Sequence, residues 1–371
     1  MLMPSFPPDG SGRSASVSSK EVERGVKQVL PDVWRITMPM PFALRWANAY
    51  LLRGEGECCL IDAGLATPDA EEVMLQGLAA AGITPAELSA IVLTHAHPDH
   101  IGLSGKFQKA SGAPVLMFGM ERQRMLSIWS QRGAQMPEAV SAYYGRHGMP
   151  AEERAQEHTT MAATRSLVTI PEHLTSLEDG QEVRLAGALY RVIWTPGHAD
   201  GHICLWREAD GLLVAGDHVL PRISPNIGLY PHSRPNPLGD YLESLAKIRD
   251  LPARCVLPGH GLPFADLRTR VDELFTHHRE RIEETRQIVN ETQEGSGVDA
   301  YTVAGRLFVG RLNSVQNRRF ALAETLAHLE YLRFAGQLLV HEDKQGHTLY
   351  RVAGSDVQAC LNGEQPRSEP F

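Results

Sequence analysis

The chain contains 371 residues and has a formal net charge of −8 at pH 7, with 43% hydrophobic and 22% charged residues. A chain of this length can bury a large core and can carry two domains. The acidic balance argues against a protein built to coat nucleic acid or an anionic membrane. No apolar run approaches the roughly 18 residues that a membrane helix needs, so no membrane partner is expected.

The N-terminus and the cysteines indicate the compartment. Residues 1–20 are rich in Ser, Pro and Gly and predict a disordered lead-in, without the basic start and apolar segment of a signal peptide. The five cysteines form no CxxC pair, and four of them lie in apolar, strand-like runs. Free buried thiols are typical of a reducing compartment, so a cytoplasmic protein is predicted, and a metal site would have to use His and Asp.

Strands and helices alternate along most of the chain. Apolar runs between Gly and Pro residues predict strands at 33–38, 49–53, 58–61, 90–94, 114–118, 182–185, 188–195, 203–206, 212–215 and 254–257. Helical spacing of apolar residues predicts helices at 69–81, 101–110, 239–249 and 264–292.

One segment, residues 119–167, has a different composition. It is rich in Met, Gln, Glu, Arg and Ala, lacks a strand pattern and predicts two or three helices. It is either an insertion that packs its own apolar faces or a cap over an active site, with Met and aromatic side chains lining an apolar pocket. Tyr143 and Tyr144 are the pocket candidates in this segment.

The C-terminal part predicts a separate small domain. After a Gly-containing linker at 294–297, the pattern to residue 352 predicts three helices and a hairpin, the outline of a winged helix at 298–361. This domain has seven Lys and Arg residues and six Asp and Glu residues, a balance of +1. Nucleic-acid-binding wings are normally strongly basic, so we expect this domain to pack on the rest of the chain or form a homodimer contact.

The strand at 90–94 ends in a cluster of potential metal ligands. His95, His97, Asp99 and His100 fall within six positions. Imidazole nitrogens and carboxylate oxygens suit a borderline metal such as zinc, which binds four ligands and can keep one position open. The cluster therefore predicts a metal site at this strand end.

Three later strands end in a similar way, each with a glycine followed by a potential ligand. The residues are His198 after Gly197, Asp217 after Gly216 and His260 after Gly259. Strand ends are rigid platforms, and glycine lets the backbone turn tightly beside an ion. Each feature alone is weak, but with the first cluster they supply five His and two Asp, which chance explains poorly.

This ordered set resembles the metallo-β-lactamase superfamily of metallohydrolases over about residues 30–265. The resemblance implies an α/β fold, an αββα sandwich, within a hydrolase domain at 21–293. It also implies two divalent metal ions. His95, His97 and His198 would hold the first ion, Asp99, His100 and His260 the second, and Asp217 would bridge them. Asp62 would hold a ligand histidine by a hydrogen bond, and His202 would support the site without binding metal.

Departures within the superfamily narrow the expected function. No cysteine is placed as a ligand, unlike in some true β-lactamases of this fold, and the bridging Asp217 that others lack is present. His97 stands where flavodiiron proteins carry a Glu. The pattern instead resembles glyoxalase II, the lactonases and lactamase-like proteins with an appended winged helix.

The expected mechanism is hydrolysis without a protein nucleophile. Two cations that share a carboxylate can share a water and lower its pKa from about 15.7 toward neutrality, so that a bridging hydroxide attacks the substrate. Asp99 and Asp217 are the expected catalytic carboxylates. We expect zinc, with manganese and iron left open, and a small acyl substrate such as a thioester, ester or lactone. A metal-dependent nuclease or phosphodiesterase is the alternative.

Other candidates for the substrate pocket lie outside the ligand motifs. Tyr230 and His232 belong to the Pro-rich loop at 220–237 that follows the bridging Asp. His278 lies on the long charged helix, where it either belongs to a solvated face or contacts a substrate anion.

Overall fold

The computed structural model describes residues 25–42, 44–130, 136–292 and 297–354. The lead-in predicted at 1–20 and the last residues of the domain predicted at 298–361 lie outside these ranges. The chain divides into two compact units. The first contains residues up to 136 together with 161–226 and 240–274, and the second contains 137–160, 227–239 and the residues from 275 onward.

The first unit contains two sheets. The seven strands of the first sheet follow one another in chain order: β1 (Gly25–Leu30), β2 (Val33–Pro39), β3 (Trp46–Gly54), β4 (Glu57–Ile61), β5 (Ala90–Leu93), β6 (Val115–Phe118) and β7 (Leu174–Leu177). β1 to β4 pair antiparallel, whereas β4 to β7 pair parallel. The sequence analysis missed β1 and β7, which are edge strands with few buried side chains and hence a weak apolar pattern.

The second sheet has the order β12-β11-β10-β9-β8. Its strands are β8 (Glu182–Leu185), β9 (Ala188–Trp194), β10 (Ile203–Arg207), β11 (Leu212–Gly216) and β12 (Cys255–Pro258). β8 to β11 pair antiparallel, and β11 and β12 are parallel. All five strands lie close to their predicted positions.

Ten α-helices occur in the described residues, together with a 3₁₀ turn at Pro85–Glu87. They are α1 (Pro68–Ala80), α2 (Pro98–Ile101), α3 (Ser104–Ser111), α4 (Gly119–Trp129), α5 (Met136–Arg146), α6 (Ala151–Arg165), α7 (Pro237–Ile248), α8 (Leu267–Thr292), α9 (Ala300–Leu307) and α10 (Val315–Phe334). The single helix predicted at 101–110 is interrupted at residues 102 and 103, because the Gly102 carbonyl accepts hydrogen bonds from Thr169 instead of continuing α2.

Side chains on opposite faces of the first sheet contribute to two separate hydrophobic cores. Leu51, Leu60 and Ile91 belong to a cluster with helix residues such as Leu78 and Phe107. The residues that point the other way form a second cluster between the sheets, which includes Leu52, Ile61, Val92, Val192, Leu205 and Val214. Since side chains alternate across a strand, one sheet serves both layers. This is the expected α/β architecture with helices outside two stacked sheets.

The second unit combines helices with a small sheet. β13 (Val298–Asp299), β14 (Leu338–Glu342) and β15 (Thr348–Val352) pair in the order β13-β15-β14. Two helices, α9 and α10, lie between β13 and the hairpin, where the sequence predicted three. α10 is continuous over 20 residues because it contains no Gly or Pro and is capped by the Ser314 side chain, which accepts from Asn317 N–H.

Charged side chains tie α6 to the C-terminal helices within the second unit. Arg319 of α10 is half-buried and donates to Glu157 Oε1 of α6 at 2.6 Å. Arg318 lies 2.6 Å from Glu153, which also accepts from the Tyr301 hydroxyl at 2.7 Å. About half of the segment predicted as an insertion, residues 137–160, therefore belongs to the same unit as the C-terminal helices. No helix in the described ranges is long and apolar enough to cross a membrane.

Candidate metal centre

The potential ligands follow strand ends that lie together in the first unit. His95 follows β5, Asp217 follows β11, and His198 and His260 follow β9 and β12 after short turns. Backbone hydrogen bonds join these ends across the two sheets: Ile203 N–H donates to Thr94 O at 3.0 Å, and Asn48 N–H donates to Gly259 O at 2.8 Å. The loops that carry the ligands therefore start from rigid, mutually fixed positions.

Two of the glycines beside the ligands are required by space. A Cβ on Gly259 would lie 2.2 Å from Asp217 Oδ1 and 2.8 Å from His100 Cε1. Gly197 has a φ of +135°, and a Cβ there would lie 2.4 Å from Tyr241 Cβ. Neither position can hold a side chain without displacing the ligands or the helix beside them.

Three histidines form the first group of ligand atoms. His97 Nδ1 lies 2.9 Å from His95 Nε2 and 2.8 Å from His198 Nε2. His95 and His198 are buried, and His97 is half-buried. Three imidazole nitrogens thus converge on one small volume, and all the ligand atoms of this group lie within 4.8 Å of one another.

The second group adjoins the first through a carboxylate. Asp99 Oδ2 lies 3.4 Å from His260 Nε2 and 3.8 Å from His100 Nε2. Asp217 Oδ2 lies 3.3 Å from His100 and His260, and 3.5 Å and 3.9 Å from His198 and His95 in the first group. Asp217 is therefore the one carboxylate, among the described ligands, that contacts histidines of both groups.

These residues fit divalent metal ions. Zinc–nitrogen bonds of 2.0–2.1 Å in a tetrahedron place neighbouring ligand atoms about 3.3 Å apart, close to the separations found here. Both carboxylate oxygens of Asp217 and the Nε2 atoms of His100 and His260 are buried without a hydrogen-bond partner. A buried carboxylate without partners is costly unless a cation neutralises it.

The outward nitrogens of four ligand histidines are all hydrogen-bonded. His100 Nδ1 lies 2.8 Å from Asp62 Oδ2 and His95 Nδ1 lies 3.0 Å from Thr94 Oγ1. The other two bonds go to backbone carbonyls, from His198 to Asn226 O at 2.8 Å and from His260 to Trp46 O at 2.6 Å. These partners keep the proton on the outward nitrogen and leave the inward Nε2 lone pair for a metal. Sequence analysis missed both carbonyls, because a backbone oxygen carries no side-chain signal.

Asp62 and His202 support the ligand loops from outside. Asp62 has a φ of +58° and also accepts hydrogen bonds from Thr94 N–H and Thr94 Oγ1, both at 2.8 Å. His202 Nδ1 lies 2.9 Å from Thr195 Oγ1, and its Nε2 accepts from Asp217 N–H at 3.1 Å. Both nitrogens of His202 thus have protein partners, and the supporting role predicted for His202 requires this arrangement.

The charges of the site are coupled. Burial disfavours a charged imidazole, but the Asp217 carboxylate raises the pKa of His260 to about 9 and that of His100 well above 6.5. Burial also disfavours a charged Asp217, yet His260 and His100 hold its pKa well below 3.8. Burial keeps the pKa of His95 well below 6.5. Without metal, protons on His100 and His260 would balance the carboxylates, so metal binding has to displace them.

All five candidates for the substrate pocket belong to the second unit. Tyr144 is fully buried, and its pKa is raised well above 10 by burial and by the nearby Tyr230. Tyr143 is half-buried, 4.7 Å edge-on from the ring of His147. Tyr230 is half-buried and His232 is exposed with a φ of +65°. Their role at a substrate pocket stays a prediction from the sequence.

His278 does not lie on a solvated face of the long helix. It is buried, and its ring stacks on that of His328 of α10 at 5.7 Å between centroids. The prediction of a solvated face was wrong because the second half of α8 packs within the second unit. The helix is rich in charged residues, but the side that carries His278 is buried.

Comparisons with known proteins identify the family of this chain. The sequence profile of the metallo-beta-lactamase superfamily matches residues 46–260, and that of the metallo-beta-lactamase-like C-terminal domain matches 287–353. The chain is 29% identical over 330 residues to YqjP of Bacillus subtilis, described as a probable metallo-hydrolase, covering 86% of this chain and 97% of that protein.

Two further proteins extend the comparison. A metallo-beta-lactamase family protein from Thermus thermophilus, whose crystal structure is known, matches with a TM-score of 0.78 and 38% identity, covering 88% of this chain and 100% of the other. An atrochrysone carboxyl ACP thioesterase of Aspergillus fumigatus is 26% identical over 256 residues, covering 68% of this chain and 47% of its own length. The family and fold expected from the sequence are confirmed. The chain belongs to the metallo-beta-lactamase superfamily, and it is a metal-dependent hydrolase.

Proposed function

We propose that this hydrolase uses two zinc ions to cleave a small acyl substrate. The observation that carries the proposal is the position of Asp217 Oδ2, within 3.3–3.9 Å of four histidines from two ligand groups. His95, His97 and His198 would hold one ion, and Asp99, His100 and His260 the other, with Asp217 between them. Only N and O ligands occur, which suits zinc and leaves manganese and iron as outcomes of elemental analysis.

The protein's own residues set up the reaction. Bound divalent ions would lower the pKa of a water toward neutrality and polarise the scissile carbonyl. Asp62, Thr94 and the carbonyls of Trp46 and Asn226 orient the imidazoles. Asp217 and Asp99 balance the charge of the cations, so that the buried site can hold them. No serine or cysteine nucleophile is required.

A thioester is the acyl substrate that we favour. The fungal thioesterase is a distant relative, and this chain spans about half of that protein's length, so the likeness supports a class of bond rather than a particular substrate. The ordered set of His and Asp residues also resembles that of glyoxalase II. We further infer that the second unit contains a winged helix, since helices are followed by the β14–β15 hairpin, although two helices, α9 and α10, stand where three were expected.

A substrate panel tests the proposal. Metal-loaded protein would be assayed on acyl-CoA, glutathione thioester, lactone, ester and phosphodiester substrates, with chelator-treated protein as the control. We expect thioesters to give the highest kcat/KM. A preference for a lactone or an ester would overturn the choice of bond, and a preference for phosphodiesters would overturn the acyl hydrolase in favour of the nuclease.

A reducing compartment is also proposed. Cys58, Cys59 and Cys204 are buried free thiols, and Cys255 is a half-buried free thiol. Thiols of this kind persist in the cytoplasm. Localisation of a tagged chain, with the tag at either end, would check this assignment.

A further inference from the structure

Glu121 is a buried carboxylate close to the metal centre that belongs to no ligand motif. It is the third residue of α4 and has 1% of its surface exposed. The sequence provides no signal for it, because Glu121 lies in a helix rich in charged residues. Buried carboxylates are rare unless their hydrogen bonds are satisfied.

Each oxygen of Glu121 accepts a backbone hydrogen bond from a different ligand loop. Oε1 accepts from Ala96 N–H at 2.9 Å, and Ala96 separates His95 from His97. Oε2 accepts from Gly201 N–H at 2.8 Å, three residues after His198. One side chain thus connects the two loops that carry the three histidines of the first group.

The remainder of α4 reinforces this connection. Trp129 Nε1 donates to Ala96 O at 2.8 Å, so both sides of the residue between two ligands are bound by the same helix. Arg124 lies 2.9 Å from Asp200 Oδ2 in the second loop. A Cβ on Gly201 would lie 2.7 Å from Glu121 Cβ and from its backbone nitrogen, so this close approach requires glycine.

We propose that Glu121 is a positioning residue for the first metal subsite, which holds the His95–His97 loop and the His198 loop at the separation that one metal ion requires. It contacts no metal and no substrate. In the second group, His100 is held by Asp62 and His260 by the Trp46 carbonyl, whereas both Glu121 oxygens bind the loops of the first group. Loss of Glu121 should therefore affect one ion more than the other. The inference rests on the proposed two-metal function.

Metal titration of the purified full chain tests this. Metal-free wild type, Glu121→Gln and Glu121→Ala would be titrated with Co²⁺, followed by its absorption spectrum and by competition with a chromogenic chelator. Gln keeps the shape but offers one acceptor oxygen and an amide donor, so one N–H loses its partner. We expect one ion to bind about 10- to 100-fold more weakly, as is typical when an outer partner of a metal site is removed, and the other to change little.

Controls separate positioning from folding. Glu157→Gln removes a buried carboxylate of the second unit, and we expect it to leave both Co²⁺ affinities unchanged. If Glu121→Gln does not fold, Gly201→Ala provides a second test, because its Cβ pushes the loop away from Glu121. Selective weakening of one ion in either variant supports the proposal.

The outcomes distinguish this inference from the function on which it rests. If wild type binds fewer than two ions, the two-metal function fails first. If wild type binds two ions and folded Glu121→Gln or Gly201→Ala binds both with wild-type affinity, the role of Glu121 is overturned. Equal weakening of both ions would also overturn it, because it would indicate a general structural effect.

Discussion

At the scale of single residues, the proposed two-ion site depends most on Asp217. Its backbone N–H donates to His202, and its Oδ2 atom lies near four histidines. In the metal-free protein, two of those histidines have raised pKa values because of this carboxylate. Asp217 therefore sets both the charge and the spacing of the site.

Asp217→Ala should lose both ions. It removes the shared oxygen and leaves two cations with less negative charge around them, so the loss of affinity should exceed the roughly 10- to 100-fold effect of removing an outer partner. Elemental analysis after chelator-free purification should find about two metal ions per wild-type chain and fewer than one in the variant. The exposed Asp69→Ala is the matched control. Retention of two ions by Asp217→Ala would rule out the bridging role.

Gly259→Ala should damage the site without removing any ligand. Its Cβ would collide with Asp217 Oδ1 at 2.2 Å and with His100 Cε1 at 2.8 Å, so both side chains must shift. We expect kcat/KM to fall by about 100-fold or more, because small displacements of reacting groups cause losses of this size. Gly305→Ala is a control within α9, at a glycine without a positive φ, where a Cβ meets nothing within 4 Å. Wild-type turnover in folded Gly259→Ala would show that the close contact is unimportant.

At the scale of elements, α8 and α10 bury a pair of histidines in the second unit. Burial lowers the pKa of His328 to about 3, and it holds that of His278 well below 6.5. Both rings are therefore neutral in the folded protein near neutral pH. In the unfolded chain each would titrate near 6.5, so below that pH the unfolded state binds more protons and acid favours unfolding.

His328→Phe should flatten the acid dependence of stability. The contribution of this histidine is present above pH 6.5 and is lost as the pH falls from 6.5 toward 3, at about 1.4 kcal/mol per pH unit. Urea unfolding of metal-free protein at pH 7 and pH 5 should show a loss about 2 kcal/mol smaller in the variant than in wild type. The exposed His347→Gln should behave like wild type. An unchanged difference would mean that His328 is not buried as a neutral ring.

At the scale of the whole molecule, the net charge of the C-terminal segment bears on whether the substrate is a nucleic acid or a small acyl compound. Residues 298–361 carry seven Lys and Arg residues against six Asp and Glu residues. Few phosphates can be neutralised by such a balance, and counterion release is the main source of non-specific affinity for nucleic acid.

Duplex DNA and structured RNA should therefore bind no more tightly than about 10⁻⁴ M at physiological salt. Fluorescence anisotropy with labelled duplexes at several salt concentrations would measure this, with a strongly basic winged-helix protein as the positive control. Tight binding that weakens steeply with salt would favour the nuclease over the acyl hydrolase.

The sequence by itself determined the family, the α/β sandwich and the hydrolase class. These depend on local patterns: apolar runs of strand length, glycines at turns, and His or Asp directly after strand ends such as β5 and β11. The spacing within a motif fixes which side chains can share a loop, so His95, His97, Asp99 and His100 could be proposed as ligands without coordinates.

Only the tertiary structure decided what surrounds those ligands. The Trp46 and Asn226 carbonyls, the carboxylate of Glu121 and the partner of His278 come from residues distant in sequence, through contacts that have no local periodicity. The pairing of α6 with α10 likewise depends on charges 162 positions apart, Glu157 and Arg319. Hydrogen bonds and ion pairs of this range form because the chain is folded, and no window of sequence contains both partners.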